Sequence, residues 1–137
     1  MSLGKYFAVG EFDCKDGTPY PTALITERLV PLVETLDVIR EAWGSPLTVI
    51  SGYRSPAYNT RIGGARQSQH MLGTAADIRP KAGWSPQKLH DVILELYQAG
   101  KLPDLGGLGA YPTFVHVDVR PRANNRLARW SGSRSDS

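Results

Sequence analysis

The chain has 137 residues, a mass of 15.0 kDa and a formal net charge of +3 at pH 7. This length suits one domain and is too short for two domains of ordinary size. Apolar residues make up 41% and charged residues 21%, a balance that excludes a generally disordered chain. No apolar run approaches the roughly 20 residues of a transmembrane helix, and residues 1–7 contain no apolar stretch of signal-peptide length.

Cysteine usage and charge distribution narrow the function classes further. The single cysteine, Cys14, excludes an internal disulfide and a zinc finger built on cysteines. Residues 119–137 hold five arginines against one aspartate. We expect a solvated basic tail from about residue 120, although such an end also favours polyanions. No basic stripe interleaved with aromatic residues accompanies it, so nucleic acid is not an expected partner.

The first half of the chain predicts a helix, a strand and a short helix. Helical spacing of apolar residues predicts a helix over residues 26–43, in which Pro31 either marks the first turn or kinks it. The β-branched run at 47–51 is typical of a buried strand. A serine followed by a proline then predicts a short helix over 56–62.

The second half predicts a strand, a helix and a final strand. After a loop at residues 65–74 we expect a strand at 75–79 and an amphipathic helix that begins at Ser85 and ends near Gly100. A glycine-rich approach at 106–111 leads into a last strand at 113–119. This order of elements predicts an α+β domain with a small, mainly antiparallel sheet and helices on one side.

The last predicted strand carries polar residues among valines. Its period of two places His116 and Asp118 on one face, and Val115, Val117 and Val119 on the other, which we expect to be the core face. A polar pair in such a strand must face solvent or be satisfied by partners.

Two of the three histidines are candidates for chemistry. His70 lies in the predicted loop seven residues before Asp77, and His116 lies on the polar strand face. His90 falls inside the second long helix and is expected to be an ordinary, partly exposed helix residue. Two imidazoles and one carboxylate suit a tetrahedral zinc ion with a fourth position left for water. The alternative, from these residues alone, is a buried polar network without metal.

Four segments around these residues occur in a fixed order. They are Ser51-Gly52-Tyr53-Arg54-Ser55-Pro56, Gly63-Gly64-Ala65, the S-x-H-x-x-G-x-A-x-D pattern from Ser68 to Asp77, and Phe114-Val115-His116-Val117-Asp118. Together they resemble the zinc D-Ala-D-Ala carboxypeptidase (peptidase M15) family, over a region from about Glu11 to Trp130. This group of peptidoglycan peptidases includes phage L-alanyl-D-glutamate endolysins and related murein endopeptidases.

The resemblance implies a fold of the hedgehog/D-Ala-D-Ala peptidase type and a specific set of site residues. It implies Zn2+ bound by His70, Asp77 and His116, and substrate contacts from Arg54 and Ser68. An arginine offers a planar fork to a carboxylate, or a cation to a developing oxyanion. We expect this arginine to lie in an exposed loop after the strand.

One position departs from the family pattern. Many members place a Glu or Asp as general base three residues before the last histidine ligand, where this chain has Thr113. Asp118 is then our candidate for the catalytic base, or else it orients an imidazole without accepting the proton. The His-x-Asp form also resembles that of a subset of murein endopeptidases.

The leading hypothesis is a single zinc metallopeptidase domain over 1–137, a monomer that cuts an amide bond in peptidoglycan stem peptides or cross-links. It would act at the bacterial cell wall, as a D,D-carboxypeptidase, an endopeptidase or a phage lysis enzyme. The alternative is a catalytically silent zinc domain that binds cell wall or a partner, as the related hedgehog signalling domain does. A polyanion-binding module that uses the C-terminal arginines is the third hypothesis.

Overall fold

The computed structural model describes residues 4–133. The start of the segment in which no signal peptide is visible, and the last four residues of the basic end, lie outside this range. This range contains three α-helices and one sheet. The helices are α1 (Val30–Trp43), α2 (Pro56–Arg61) and α3 (Pro86–Gln98).

The sheet contains five strands among the described residues. They are β1 (Leu47–Ser51), β2 (Ala75–Pro80), β3 (Gly107–Ala110), β4 (Val115–Asp118) and β5 (Ala128–Ser131). Their spatial order is β1-β2-β4-β3-β5, and all neighbours are antiparallel except β3 and β5, which are parallel. The predicted α+β class with a mainly antiparallel sheet is confirmed.

Two of the predicted helices, α2 and α3, form at their predicted starts because serine side chains cap them. The Ser55 hydroxyl accepts the Tyr58 N–H at the start of α2, and the Ser85 hydroxyl accepts the Lys88 N–H at the start of α3. Each cap satisfies a backbone donor that has no partner inside the helix. Neither α1 nor any other helix of the described residues is long and apolar enough to cross a bilayer.

The start of α1 shows which of the two predicted positions Pro31 occupies, the first turn of the helix or a kink within it. Pro31 lies in the first turn of α1, and residues Ile25–Leu29 before it form a π-helical turn. Because proline has no backbone N–H, it can be accommodated in a first turn but not deeper in the helix. The helical path therefore begins near the predicted Thr26, but the regular α-helix starts four residues later.

Two strands were not expected from the sequence. The glycine-rich residues 106–111 contain β3 rather than only an approach, and residues 128–131 of the expected solvated tail form β5. The tail prediction is therefore wrong for these residues. Arg122 also holds internal partners, since it donates to the Tyr97 hydroxyl and to the Pro103 carbonyl.

The core lies between the sheet and the two long helices. α1 packs on α3, and α3 packs on β2, β3 and β4. Val115 and Val117 are buried in this core, as predicted. His90 is only 8% exposed, so the expectation of a partly exposed helix residue is wrong.

We expect Ile39→Ala to lower the free energy of unfolding by about 2–5 kcal/mol, because it opens a cavity where α1 faces the core. Ile39 is 0% exposed, whereas its neighbour Val38 is 38% exposed. Val38→Ala is the matched control and should change stability by about 0.5 kcal/mol or less. Urea unfolding of both variants checks this, and equal losses would contradict the placement of α1.

Candidate metal and substrate site

The sheet and one loop bring the three predicted ligands together. Asp77 in β2 and His116 in β4 are direct partners in the antiparallel register, so their side chains emerge side by side. His70 comes from the loop after α2, where its carbonyl accepts the Arg54 N–H at 3.1 Å. The candidate ligand atoms of His70, Asp77 and His116 all lie within 4.8 Å of one another, and all three residues are buried.

Hydrogen bonds select which ring nitrogen of His70 faces the cluster. Its Nδ1 lies 2.8 Å from the Gly52 carbonyl oxygen, to which it donates, and its Nε2 lies 3.2 Å from Asp77 Oδ1. Burial, which outweighs the opposing effect of Asp77, lowers the pKa of His70 below its ordinary value and so favours the neutral ring. A neutral ring with Nδ1 protonated presents the Nε2 lone pair to the cluster, which is the form that binds a metal.

His116 uses the opposite nitrogen. Its Nδ1 lies 3.1 Å from the same Asp77 Oδ1, while its Nε2 lies 2.8 Å from Asp118 Oδ2. Burial alone would lower the pKa of His116, but its contacts with Asp118 and Asp77 outweigh burial and raise it. The three inward-facing atoms are thus His70 Nε2, Asp77 Oδ1 and His116 Nδ1.

Arg54 is not where the sequence predicted it. The side chain is 1% exposed, so the expectation of an exposed loop arginine is wrong. Its guanidinium lies 3.5 Å from Asp77 Oδ2 and donates to Asn59 Oδ1 at 3.3 Å, and its Nε donates to Ser51 Oγ at 3.1 Å. Gly64 makes this burial possible, because a Cβ there would approach Arg54 Nη1 to 3.1 Å and would overlap the Asn59 amide.

The carboxyl group of Asp77 is ionised. Burial by itself raises its pKa, but His70 and His116 outweigh burial and hold the pKa below its usual range. One oxygen faces the two imidazoles and the other faces Arg54. Because both oxygens have partners, the carboxylate is fixed in orientation.

Ser68 stabilises the loop that carries the first histidine. The residue is buried, and its Oγ accepts the His70 N–H at 3.1 Å. It also lines a cavity of about 250 Å³ that reaches His116. Its predicted contact with substrate stays a prediction.

Asp118 has both carboxylate oxygens engaged. Oδ2 faces His116 Nε2 and also accepts Arg120 Nη2–H at 2.6 Å, and Oδ1 accepts Arg120 Nε–H at 2.9 Å. Burial alone would raise its pKa, but His116 and Arg120 lower it to about 2. Asp118 is 0% exposed, and Thr113, at the family's usual base position, is exposed.

Three site residues escaped the sequence analysis: Arg120, Trp130 and Tyr111. The Trp130 ring lies 5.0 Å from the His116 ring and 5.1 Å from the Arg120 guanidinium, and its Nε1–H donates to the Tyr111 hydroxyl at 3.0 Å. These residues come together because β5, which the sequence did not predict, pairs with β3. The glycines of β3 leave room for large side chains from the neighbouring strand. A Cβ at Gly109 would overlap the Trp130 indole.

The cavity beside the cluster is polar and aromatic. It is lined by Ala65, Gln67, Ser68, Gln69, Tyr111, His116, Arg120 and Trp130. A second cavity of about 670 Å³ shares Gln69 and Arg120 with it. The smaller cavity therefore meets the buried cluster at His116, and its wall combines the loop before His70 with β5.

A buried His-Asp-His cluster beside a cavity, on an α+β sheet, is the arrangement that the sequence resemblance implied. The sequence model of the Peptidase M15 family matches residues 5–118. The chain belongs to this family. The matched region ends at Asp118, so Arg120 and Trp130 lie beyond it.

One curated relative is similar over a short segment. Over 44 residues the chain is 48% identical to the zinc D-Ala-D-Ala carboxypeptidase of Streptomyces albus G. The segment covers 31% of this chain and 17% of that relative. The chain thus spans under a fifth of the relative's length.

We expect Arg54→Ala to lower the free energy of unfolding by about 3–5 kcal/mol, because it leaves the buried Asp77 carboxylate without its cation. Arg66, which is exposed, gives the matched control. Arg66→Ala should change stability by about 0.5 kcal/mol or less. Denaturant unfolding of the metal-free proteins measures both, and a small effect at Arg54 would contradict the structural role.

Proposed function

We propose that this protein is a zinc metallopeptidase that hydrolyses an amide bond in peptidoglycan stem peptides or cross-links. The observation that carries the proposal is the buried cluster of His70, Asp77 and His116 at the wall of a cavity. Membership of the peptidase M15 family supports the reaction class. The similar segment of the Streptomyces albus G enzyme supports zinc and a peptidoglycan-type substrate.

The donor set fits zinc rather than a harder cation. Two imidazole nitrogens and one carboxylate oxygen are ligands that zinc accepts in a four-coordinate site with one open position. Each histidine also has a partner on its other nitrogen, Gly52 O for His70 and Asp118 for His116. Such partners fix the tautomer and orientation of a ligand before the metal binds. Bound zinc would supply Lewis-acid polarisation of the scissile carbonyl and a lowered pKa for water.

We further propose that Arg54 and Asp118 act as positioning residues. Arg54 holds Asp77 from the side opposite the histidines, and Asp118 holds His116 from the side opposite the cluster. Of the two roles that the sequence left open for Asp118, the geometry favours orientation of the imidazole. A carboxylate engaged by a bidentate guanidinium and a ring N–H has little capacity to accept a further proton.

The cavity supports a peptide substrate. Its wall offers amide, hydroxyl and guanidinium donors from Gln67, Gln69, Ser68 and Arg120, which suit the carbonyl and carboxylate oxygens of a stem peptide.

We propose a monomer that acts at the bacterial cell wall. D,D-carboxypeptidase, endopeptidase and phage lysis activities are the specific forms of this proposal.

A second candidate function is a zinc-containing binding domain without peptidase activity. The observation that favours it is the absence of Asp and Glu from the cavity wall within residues 4–133. Purified peptidoglycan, incubated with and without a chelator, separates the two. Mass spectrometry of the released muropeptides should show one new terminus, sensitive to the chelator, and its position identifies the bond. Intact peptidoglycan at stoichiometric zinc would favour the binding domain.

We expect His116→Ala to lose most bound zinc, because three protein ligands leave none to spare. His90→Ala is the control, since His90 lies on α3 and is not part of the cluster. Metal analysis of protein purified without chelators should give near-stoichiometric zinc in the control. Full zinc retention in His116→Ala would refute the ligand assignment.

Asp118→Asn distinguishes orientation from proton transfer. If Asp118 is a positioning residue, Asp118→Asn should lower the zinc affinity about 10- to 100-fold. If Asp118 is the general base, the same variant should keep its zinc affinity and react about 10²–10⁴ times more slowly. Competition with a chromogenic chelator gives the affinity, and turnover at saturating zinc gives the rate. We expect the first result.

A further inference from the structure

The burial of Arg54 against Asp77 holds it away from a developing oxyanion, which was one of the two roles that the sequence left open for it. We propose that Tyr111 is a catalytic residue that donates its phenol O–H to the scissile carbonyl oxygen as negative charge develops there. The inference rests on the proposed peptidase function and names a residue of the same cavity. Nothing in the motif pattern around the ligands includes this tyrosine.

Tyr111 stands at the right place in the cavity. It directly follows β3 and lines the same small cavity as His116 and Ser68. Trp130 connects it to the cluster, because the indole N–H donates to the Tyr111 hydroxyl at 3.0 Å and the indole ring lies 5.0 Å from the His116 ring. The Trp130 indole therefore contacts both the Tyr111 hydroxyl and the ring of His116, a candidate ligand.

The hydrogen bond from Trp130 determines what the Tyr111 hydroxyl can do. A phenol has one proton to donate and accepts through its oxygen lone pairs, whereas an indole N–H only donates. Trp130 therefore uses an acceptor site of Tyr111 and leaves the phenol proton available. Within residues 4–133, the Tyr111 O–H donates to no protein acceptor. The proton is available to a ligand in the cavity.

Packing holds the phenol ring in place. The ring stacks on Phe114 with centroids 4.5 Å apart and planes 11° apart, and Phe114 is 0% exposed. On another side, a Cβ at Gly132 would reach within 3.1 Å of several Tyr111 ring atoms. A donor fixed before the substrate arrives costs no reorganisation during the reaction, which is the condition for stabilising an oxyanion.

Three other donors of the cavity are less suited to this role. Arg120 donates from its Nε and Nη2 to Asp118, and this carboxylate also neutralises the charge of the guanidinium. Gln67 is exposed, with no hydrogen bond that fixes its amide within the described residues. Gln69 accepts the Thr74 hydroxyl. Tyr111 is the donor that both an indole and a stacked ring hold in position.

The reaction balances without a proton from Tyr111. Water adds to the carbonyl carbon, the carbonyl π electrons move onto oxygen, and the C–N bond breaks as that oxygen reforms the double bond. The leaving nitrogen keeps the C–N electron pair and takes both water protons, which gives an ammonium group and a carboxylate. The phenol keeps its proton throughout and hydrogen-bonds most strongly to the charged oxygen.

Tyr111→Phe tests the proposal because it removes only the hydroxyl. With a synthetic stem peptide as substrate, kcat should fall about 100-fold, as for loss of one oxyanion donor, while KM changes less than threefold. Affinity for a phosphinate analogue of the scissile amide should fall in parallel, since its charged oxygen mimics the oxyanion. Zinc content and melting temperature should match those of the wild type.

Two further variants separate the role from general effects. Tyr58→Phe is the matched control, because Tyr58 lies on α2 under Arg61 and away from the cavity, and it should leave both readouts unchanged. Trp130→Phe removes the indole donor but leaves the phenol its proton, so kcat should fall less than in Tyr111→Phe. Unchanged kcat and unchanged phosphinate affinity in Tyr111→Phe would overturn the inference.

The experiment also separates this inference from the proposed function. A wild-type protein that binds zinc and phosphinate but hydrolyses no peptide would overturn the peptidase and not the donor role, which the phosphinate affinities still decide. A loss of zinc or of thermal stability in Tyr111→Phe would show a structural role and overturn the catalytic one.

Discussion

The carboxylate of Asp77 is the constraint on which the site depends. One of its oxygens lies 3.2 Å and 3.1 Å from the inward nitrogens of His70 and His116, and the other lies 3.5 Å from Arg54. An ionised group that is 1% exposed is costly unless it is paired and hydrogen-bonded. The β2–β4 register, the loop before β2 and the turn after β1 must therefore all be correct together, because each supplies one partner of this carboxylate.

A second set of contacts surrounds the first. The Gly52 carbonyl fixes His70, and Asp118 fixes His116 while Arg120 fixes Asp118. The glycines of β3 make room for this layer, since a Cβ at Gly107 would overlap the Asp118 carboxylate. The small residues of one strand thus allow large polar and aromatic side chains of its neighbours to meet beside the cluster.

Local signals in the sequence were sufficient for part of this structure. Residue type made His70, Asp77 and His116 candidates and the family resemblance implied them as ligands, and the serine caps of α2 and α3 located two helix starts. What the sequence could not predict depends on contacts between distant segments. β3 has too few side chains for a period of two to be visible, and β5 is polar because half of its residues face solvent. The burial of Arg54 depends on Asp77, 23 residues away.

Because β5 lies at the edge of the sheet, one part of the site opens locally more easily than the other. His70, Asp77 and His116 lie on central strands and a loop bonded to them, whereas Trp130 lies on a strand that, among the described residues, pairs only with β3. Edge segments open locally at a lower free energy than central strands. Warming the protein should therefore release β5 while the His-Asp-His cluster is still held, so that amide hydrogens of β5 exchange before those of β2 and β4. A protein in that partly opened state would retain the His-Asp-His cluster and lose the wall that shapes its cavity.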